Sequence, residues 1–271
     1  MITSLSNNSV RRVVQLCEKA SLRRKEERFV CEGIKMFMEA PSSLVEKVYI
    51  SESLIEKLKG EYAFGEYDKG VINEKLKEAG YEEVSDAVMD KMADTKTPQG
   101  ILTILKMPEH SIEDMVSGKA FVVVCENVKD PGNLGTIIRT AEGAGVTGVV
   151  LSKECVDIFN PKTIRATMGS VYRVKFTYVE DIVESVNRLK KEGVKFYATH
   201  LKGTAFYDEV DWRGKTGFFV GNEANGLTDK LSNTADNLIK IPMEGKLESL
   251  NAAVASAVVM YEAHRQRCKS Y

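Results

Sequence analysis

Asn127-Val128-Lys129-Asp130-Pro131-Gly132-Asn133-Leu134-Gly135-Thr136-Ile137-Ile138-Arg139-Thr140 follows the apolar run Phe121–Glu126 and leads into a periodic segment. Leu134, Ile137, Ile138 and Ala141 recur at i, i+3, i+4 and i+7, so Leu134–Ala144 reads as a helix with one buried stripe. Pro131-Gly132 breaks the chain between strand and helix, and Asn133 is expected to cap the helix. Arg139 falls on the face opposite the stripe and must meet solvent or a partner. In open α/β sheets, small ligands bind where strands end and helices begin, which makes this junction a candidate site.

Two further junctions of the same kind lie downstream. Gly217-Phe218-Phe219-Val220 reads as a strand leaving through Gly221-Asn222-Glu223, with Asn225-Gly226 close behind. Gly221 and Gly226 permit positive φ and close backbone approach. The third strand, Leu238–Ile241, turns at Pro242-Met243 and reaches a helix expected from Ser249 to about Arg267. Ser249 is the expected N-cap, Asn251 lies in the first turn, and Leu250, Val254, Ala257, Val258 and Tyr261 form the expected buried face. Gly148–Leu151, Val174–Thr177 and Lys195–Thr199 are the other strands, with helices at Pro161–Met168 and Ile182–Lys191 between them. This alternation predicts a largely parallel sheet covered on both faces over residues 120–271.

The first hundred residues alternate on a smaller scale. A helix is expected over Val10–Ala20, strands over Arg28–Glu32, Val45–Ile50, Glu82–Val84 and Gly100–Leu105. Helices are expected over Ile34–Ala40, Glu52–Lys59, Glu74–Ala79 and Asp86–Ala93. The organisation is a small α/β/α domain over 1–107, a polar linker over 108–119, and the larger domain over 120–271.

Composition narrows the class. At 271 residues and 43% hydrophobic content the chain can bury two cores. It has no apolar run of the ~20 residues a membrane helix needs, and Met1–Asn8 does not read as a signal peptide. Five scattered cysteines without a Cys-x-x-Cys pair point to a reducing cytoplasm, and three dispersed histidines give no metal-ligand spacing. The net charge of −1 is uninformative, but Arg11 to Arg28 holds seven basic residues against three acidic ones. Arg11, Arg12, Arg23, Arg24 and Lys25 are therefore expected contacts to nucleic-acid phosphates, as are Lys162 and Arg165 on the helix opened by Asn160-Pro161.

Taken in order, the three junctions resemble the motifs of the SpoU–TrmH family of RNA 2′-O-ribose methyltransferases, within the SPOUT superfamily. The resemblance implies a catalytic domain whose three loops are tied in a trefoil knot around S-adenosyl-methionine, working as a homodimer. It places Arg139 beside the target ribose, with Asn133, Glu223, Ser249 and Asn251 as its catalytic companions. Gly221, Asn222, Ile241, Met243, Leu250 and Asn251 are the implied cofactor contacts. The N-terminal domain, from its Phe29-Val30-Cys31-Glu32-Gly33 turn to its Thr97-Pro98-Gln99-Gly100 exit, resembles the ribosomal-protein-like substrate-binding domain of the ribosomal RNA enzymes. Large-subunit (23S) ribosomal RNA is the implied substrate.

Other readings are weighed by specific residues. A Rossmann dehydrogenase or methyltransferase requires Gly-x-Gly-x-x-Gly, whereas Gly132-Asn133-Leu134-Gly135 is spaced Gly-x-x-Gly. A tRNA methyltransferase of the same family would ordinarily lack the N-terminal domain. A non-catalytic RNA-binding or ribosome-assembly protein would not need Arg139, Glu223, Ser249 and Asn251 all in place.

Overall fold

The computed structural model describes residues 1–200, 203–246 and 249–268. In chain order it contains α1 (Asn8–Glu18), α2 (Ala20–Glu26), β1 (Arg28–Glu32), α3 (Ile34–Glu39), β2 (Val45–Ser51), α4 (Glu52–Lys59), α5 (Lys69–Ala79), β3 (Glu82–Val84), α6 (Asp86–Met92) and β4 (Ile101–Lys106). After a 3-10 turn at Glu113–Met115 come β5 (Phe121–Cys125), α7 (Pro131–Gly143), β6 (Gly148–Ser152), α8 (Pro161–Thr167), a second 3-10 turn (Ser170–Tyr172), β7 (Phe176–Val179), α9 (Ile182–Lys191), β8 (Lys195–Thr199), β9 (Ala205–Phe206), β10 (Thr216–Val220), α10 (Asp229–Ser232), β11 (Asn237–Lys240) and α11 (Ala252–Arg267). Contacts divide them into two compact units: Met1–Pro108 with Phe159–Tyr172, and Glu109–Ile158 with Arg173–Tyr271.

The first unit is built on a four-stranded sheet in the order β1-β4-β2-β3, antiparallel except for the β2–β3 pair. Val10, Val13 and Leu16 of α1 and Val88, Met89 and Met92 of α6 pack on one face of the sheet. Phe37 of α3, Leu54 and Leu58 of α4, and Ile72 and Leu76 of α5 pack on the other. Each such side chain contributes about 1.5–3 kcal/mol when fully buried, so the two apolar faces are what make three layers from short elements. Asn7, Ser51, Asp68 and Ser85 cap α1, α4, α5 and α6 through their side-chain oxygens.

The segment Phe159–Tyr172, expected in the larger domain, belongs to this first unit. Phe159 packs on Phe29 with ring centroids 4.7 Å apart and planes tilted by 41°, and the Tyr172 hydroxyl donates to the Met36 carbonyl at 3.0 Å, with the Cys31 sulfur at 3.1 Å. Arg165 pairs with Asp94 at 2.6 Å.

The second unit carries a seven-stranded, wholly parallel sheet in the order β7-β6-β5-β10-β8-β11-β9. Its central strands are buried along their length, as expected where helices cover both faces. The chain winds outward from β5 to β7 and then returns to the other side, so β5 and β10 flank the point where strand order reverses. The expected linker 108–119 is not open chain: Met115 is fully buried, and the Thr147 hydroxyl donates to its carbonyl at 2.7 Å.

Several boundaries differ from the sequence reading for local reasons. The charged stretch after α1 is itself a helix, α2, and α5 begins at Lys69, capped by Asp68, rather than at Glu74. β7 sits two residues later than expected, while β9 and α10 are too short to leave a periodic signal.

Candidate active site

The helix α7 begins at Pro131, not Leu134, and its cap is Asp130, whose carboxylate accepts the Asn133 N–H at 2.8 Å. Proline is well suited to the first helical position, where its missing N–H costs nothing. Relieved of capping, the Asn133 side chain is free for other partners. Its amide donates to Glu223 Oε1 at 3.0 Å, and its carbonyl oxygen accepts from the Asn251 amide at 3.0 Å. Asn251, rather than Ser249, caps α11, accepting the N–H groups of Ala253 and Val254 at 2.9 and 3.3 Å. Ser249 is exposed just before the cap.

Three loops from three separate strands thus meet in one chain of hydrogen bonds, Asn251 to Asn133 to Glu223. Glu223 is held further by the backbone N–H groups of Lys129 and Asp130, at 3.2 and 3.1 Å. Partial burial would raise its carboxyl, but the Asn133 amide and these backbone donors outweigh that and hold it below the ordinary glutamate range. Asn222 ties the same loop to the first one, its amide donating to the Asn127 carbonyl at 2.9 Å. Its side-chain oxygen accepts from the N–H groups of Ala224 and Asn225, both at 3.0 Å.

The two glycines of this loop act differently. Gly226 adopts φ +67°, which a side chain would resist, with open space around it. Gly221 needs its bare Cα because a Cβ there would collide with the backbone of Gly226 and Leu227. The close approach is therefore to its own loop, drawn into a tight ring by reciprocal backbone bonds between Asn222 and Gly226 at 3.0 and 2.9 Å.

Sequence reading passed over two residues that fix this geometry. Glu126, buried at 6% exposure, accepts the Thr228 N–H at 2.7 Å and its hydroxyl at 2.8 Å, pinning the far end of the loop. Asn127 turns the chain at φ +56° after β5, its N–H held by the Ser152 hydroxyl at 3.1 Å. The pairing of Glu126 with Thr228 spans 102 positions, so no local pattern announces it.

Arg139 is exposed on the outer face of α7 and makes no hydrogen bond or ion pair among the described residues. Six residues beyond Asn133, it lies about 9 Å further along the helix axis. Helices α7 and α11 run side by side in the same direction, Asn133 meeting Asn251 at their starts and the Tyr261 hydroxyl lying against Gly143 near the end of α7. The buried side of α11 is Ala253, Ser256, Val259, Met260 and Ala263, not the expected Val254 and Tyr261, which are 50% and 52% exposed. Ile241, Met243 and Leu250 are partly buried around the third loop. Among the described residues no cluster of His, Cys, Asp and Glu could hold a metal ion, and no helix is long and apolar enough to cross a membrane.

The basic residues of the first unit differ in exposure. Arg11, Arg24, Lys25 and Lys162 are exposed. Arg12 is tied to Glu26 and Glu46, and Arg165 to Asp94. Arg23, expected to face RNA, is 2% exposed and turns inward to close the end of α1, donating to the carbonyls of Leu16 and Cys17 at 2.7 and 2.8 Å. Those carbonyls would otherwise be left unpaired at the helix terminus, which is why the guanidinium is drawn in.

Residues 120–261, which carry all three loops, match the model of the SpoU rRNA Methylase family. The chain belongs to the SpoU rRNA methylase family. Residues 7–103 match the MRM3-like substrate binding domain. A 23S rRNA (guanosine(2553)-2′-O)-methyltransferase, RlmP of Bacillus subtilis, is 38% identical over 66% of this chain and 70% of its own length. A 23S rRNA (guanosine-2′-O-)-methyltransferase, RlmB of Xanthomonas axonopodis, is 37% identical over 59% of this chain and 65% of its own length, so the alignments span about two thirds of these relatives. An AdoMet-bound rRNA methyltransferase from Sinorhizobium meliloti superposes with TM-score 0.81 at 30% identity, covering 97% of both chains. The α/β architecture, a parallel SPOUT-type sheet with a smaller N-terminal domain, is shared with that structure.

Proposed function

We propose that this protein transfers a methyl group from S-adenosyl-methionine to a ribose 2′-hydroxyl of 23S ribosomal RNA. The observation that carries the reading is the hydrogen-bonded chain from Asn251 through Asn133 to Glu223, which gathers three loops at the carboxyl ends of β5, β10 and β11. Loops gathered beside a reversal of strand order are where an open parallel sheet takes its ligand. The first unit is the RNA-binding part and the second the methyltransferase, its three loops threaded as a trefoil knot.

The third loop fits the donor. Ile241, Met243 and Leu250 are only partly buried there, and they would flank the adenine ring. Gly221 and Asn222 hold the neighbouring backbone rigid so that main-chain groups can bind the polar end. When bound, S-adenosyl-methionine supplies an electrophilic methyl group on a sulfonium. The acceptor hydroxyl must then be held ~3 Å from the methyl carbon and in line with the departing sulfur.

Glu223 is a positioning residue. Both its oxygens are taken up by the Asn133 amide and the Lys129 and Asp130 N–H groups, leaving it poorly placed to accept the hydroxyl proton. Asn133 and Asn251 orient the loops, and Ser249, exposed ahead of α11, faces the ribose. Through its planar guanidinium fork Arg139 anchors a phosphate and stabilises the developing alkoxide. Arg11, Arg24, Lys25 and Lys162 supply further phosphate contacts.

The exposed stripe of Val254 and Tyr261 on α11, with Ala257 and Val258 partly open between them, supports a homodimer formed through the second unit. The site of action is the cytoplasm, with the ribosomal RNA. Titration calorimetry with S-adenosyl-methionine, followed by mapping of ribose methylations in 23S rRNA from cells with and without the protein, tests the reading. Absence of donor binding, or an unchanged methylation map, would overturn it.

A further inference from the structure

On the α3–α4 side of the first unit's sheet, away from the basic α1–α2 face, lies a cleft of about 540 Å³. That is ample for a nucleotide, since small-molecule sites run from about 300 to 1,000 Å³. One of its walls is Tyr62, 55% exposed. The ring is not loose. It leans on the buried Phe64 at 5.2 Å between centroids, and the Lys57 ammonium lies 5.2 Å from its centre. Phe64 is fixed in turn by a tight turn in which the Tyr67 N–H donates to its carbonyl at 3.2 Å.

The other polar groups complete a pattern. Gln99 is orientated by its side-chain oxygen, which accepts the Ile34 N–H at 2.9 Å, so its NH₂ is the end left to line the cleft. Lys35 is already balanced by Glu39 and Glu66, at 3.4 and 3.5 Å. Lys57 pairs with no carboxylate among the described residues, and it is the cation left to meet an external anion. A braced ring, an unmatched ammonium beside it and a single fixed amide donor are the parts with which single-stranded RNA is held. Bases stack on the ring, and the cation follows the backbone.

We propose that this cleft takes an unstacked nucleotide of single-stranded RNA, distinct from the nucleotide that is methylated. The base lies on Tyr62, its phosphate meets Lys57, and Gln99 donates to an acceptor on the base or ribose. The inference rests on the RNA-methylating reading and adds to it a second point of contact that would set which RNA segment is presented.

The test uses the full-length chain and fluorescence anisotropy of labelled oligouridylate. Tyr62→Ala should weaken binding by about tenfold, a typical loss for removing one stacked base, while Tyr62→Phe stays within about twofold of the unaltered chain. Lys57→Ala should weaken binding and lower the slope of log affinity against log salt by about one. Indifference of binding to Tyr62→Ala would overturn the proposal, as would competition by polyglutamate as effective as that by unlabelled oligouridylate. Calorimetry with S-adenosyl-methionine on the same proteins separates the two readings. Donor binding intact with Tyr62→Ala indifferent removes the cleft alone, whereas no donor binding by the unaltered chain removes the methyl-transfer reading.

Discussion

The Asn251 carboxamide donates to the Asn133 carboxamide at 3.0 Å, joining residues 118 positions apart at the starts of two parallel helices. The same Asn251 caps α11 with its oxygen. The two roles can be pulled apart, because aspartate can cap but cannot donate. Asn251→Asp is expected to keep the thermal midpoint near that of the unaltered protein and to lower kcat at least tenfold. Asn251→Ala should lose the turnover and, in addition, about 1 kcal/mol of stability by urea unfolding. Full turnover in the aspartate variant would remove this bond from the site.

Glu223 should be sensitive to loss of charge without loss of shape. In Glu223→Gln one end of the side chain becomes an NH₂ that faces the N–H donors now bound by the carboxylate. The expected result is a raised KM for S-adenosyl-methionine together with a lower kcat, and little change in fold by circular dichroism.

Its pH dependence follows from the lowered carboxyl. A group whose folded value is depressed stabilises the native state fully above its unfolded value, for glutamate near ~4.3, and loses that contribution as pH falls through the folded value. Native-state stability measured by urea unfolding should therefore drop more steeply below about pH 4.3 in the unaltered chain than in Glu223→Gln. Parallel curves for the two proteins would contradict the assignment.

For Arg139, lysine is the discriminating replacement. It keeps the positive charge but not the planar fork that can hold a phosphate and an alkoxide together. Arg139→Lys should retain donor binding by calorimetry and lose about 10²-fold or more in kcat, the scale seen when one charge-stabilising group is removed. Substantial activity at pH 9 would speak against a guanidinium-specific role.

Arg23 provides a contrast among the basic residues. Arg23→Ala strips the carbonyls of Leu16 and Cys17 of a buried donor and should cost about 1–3 kcal/mol in urea unfolding. RNA affinity measured well below the unfolding transition should be unchanged, whereas Arg24→Ala should weaken it and lessen its salt dependence.

These residues also mark what could be read from the sequence. The alternation of strands and helices announced the parallel sheet, and the glycine- and asparagine-rich junctions announced the loops, because both signals are local. Helix starts were misplaced where two capping residues compete. Asp130 and Asn133 are both good caps, and so are Ser249 and Asn251; in each pair the one beside the first helical residue wins, freeing Asn133 to reach across the site. In α11 both sides are apolar, so periodicity could not choose between the faces of Val254 and Val259. Charge alone could not separate Arg23 from Arg24, since only the unpaired end of α1 decides which turns inward. The pairing of Glu126 with Thr228 leaves no trace in either neighbourhood.

The packing of Phe159 on Phe29 and the hold of Tyr172 on Met36 make the first unit discontinuous along the chain. It is thus no detachable module that one scission can free. A fragment ending at Pro108 would leave the Phe29 ring bare, and a graft of this unit onto another enzyme would have to carry residues 159–172 with it.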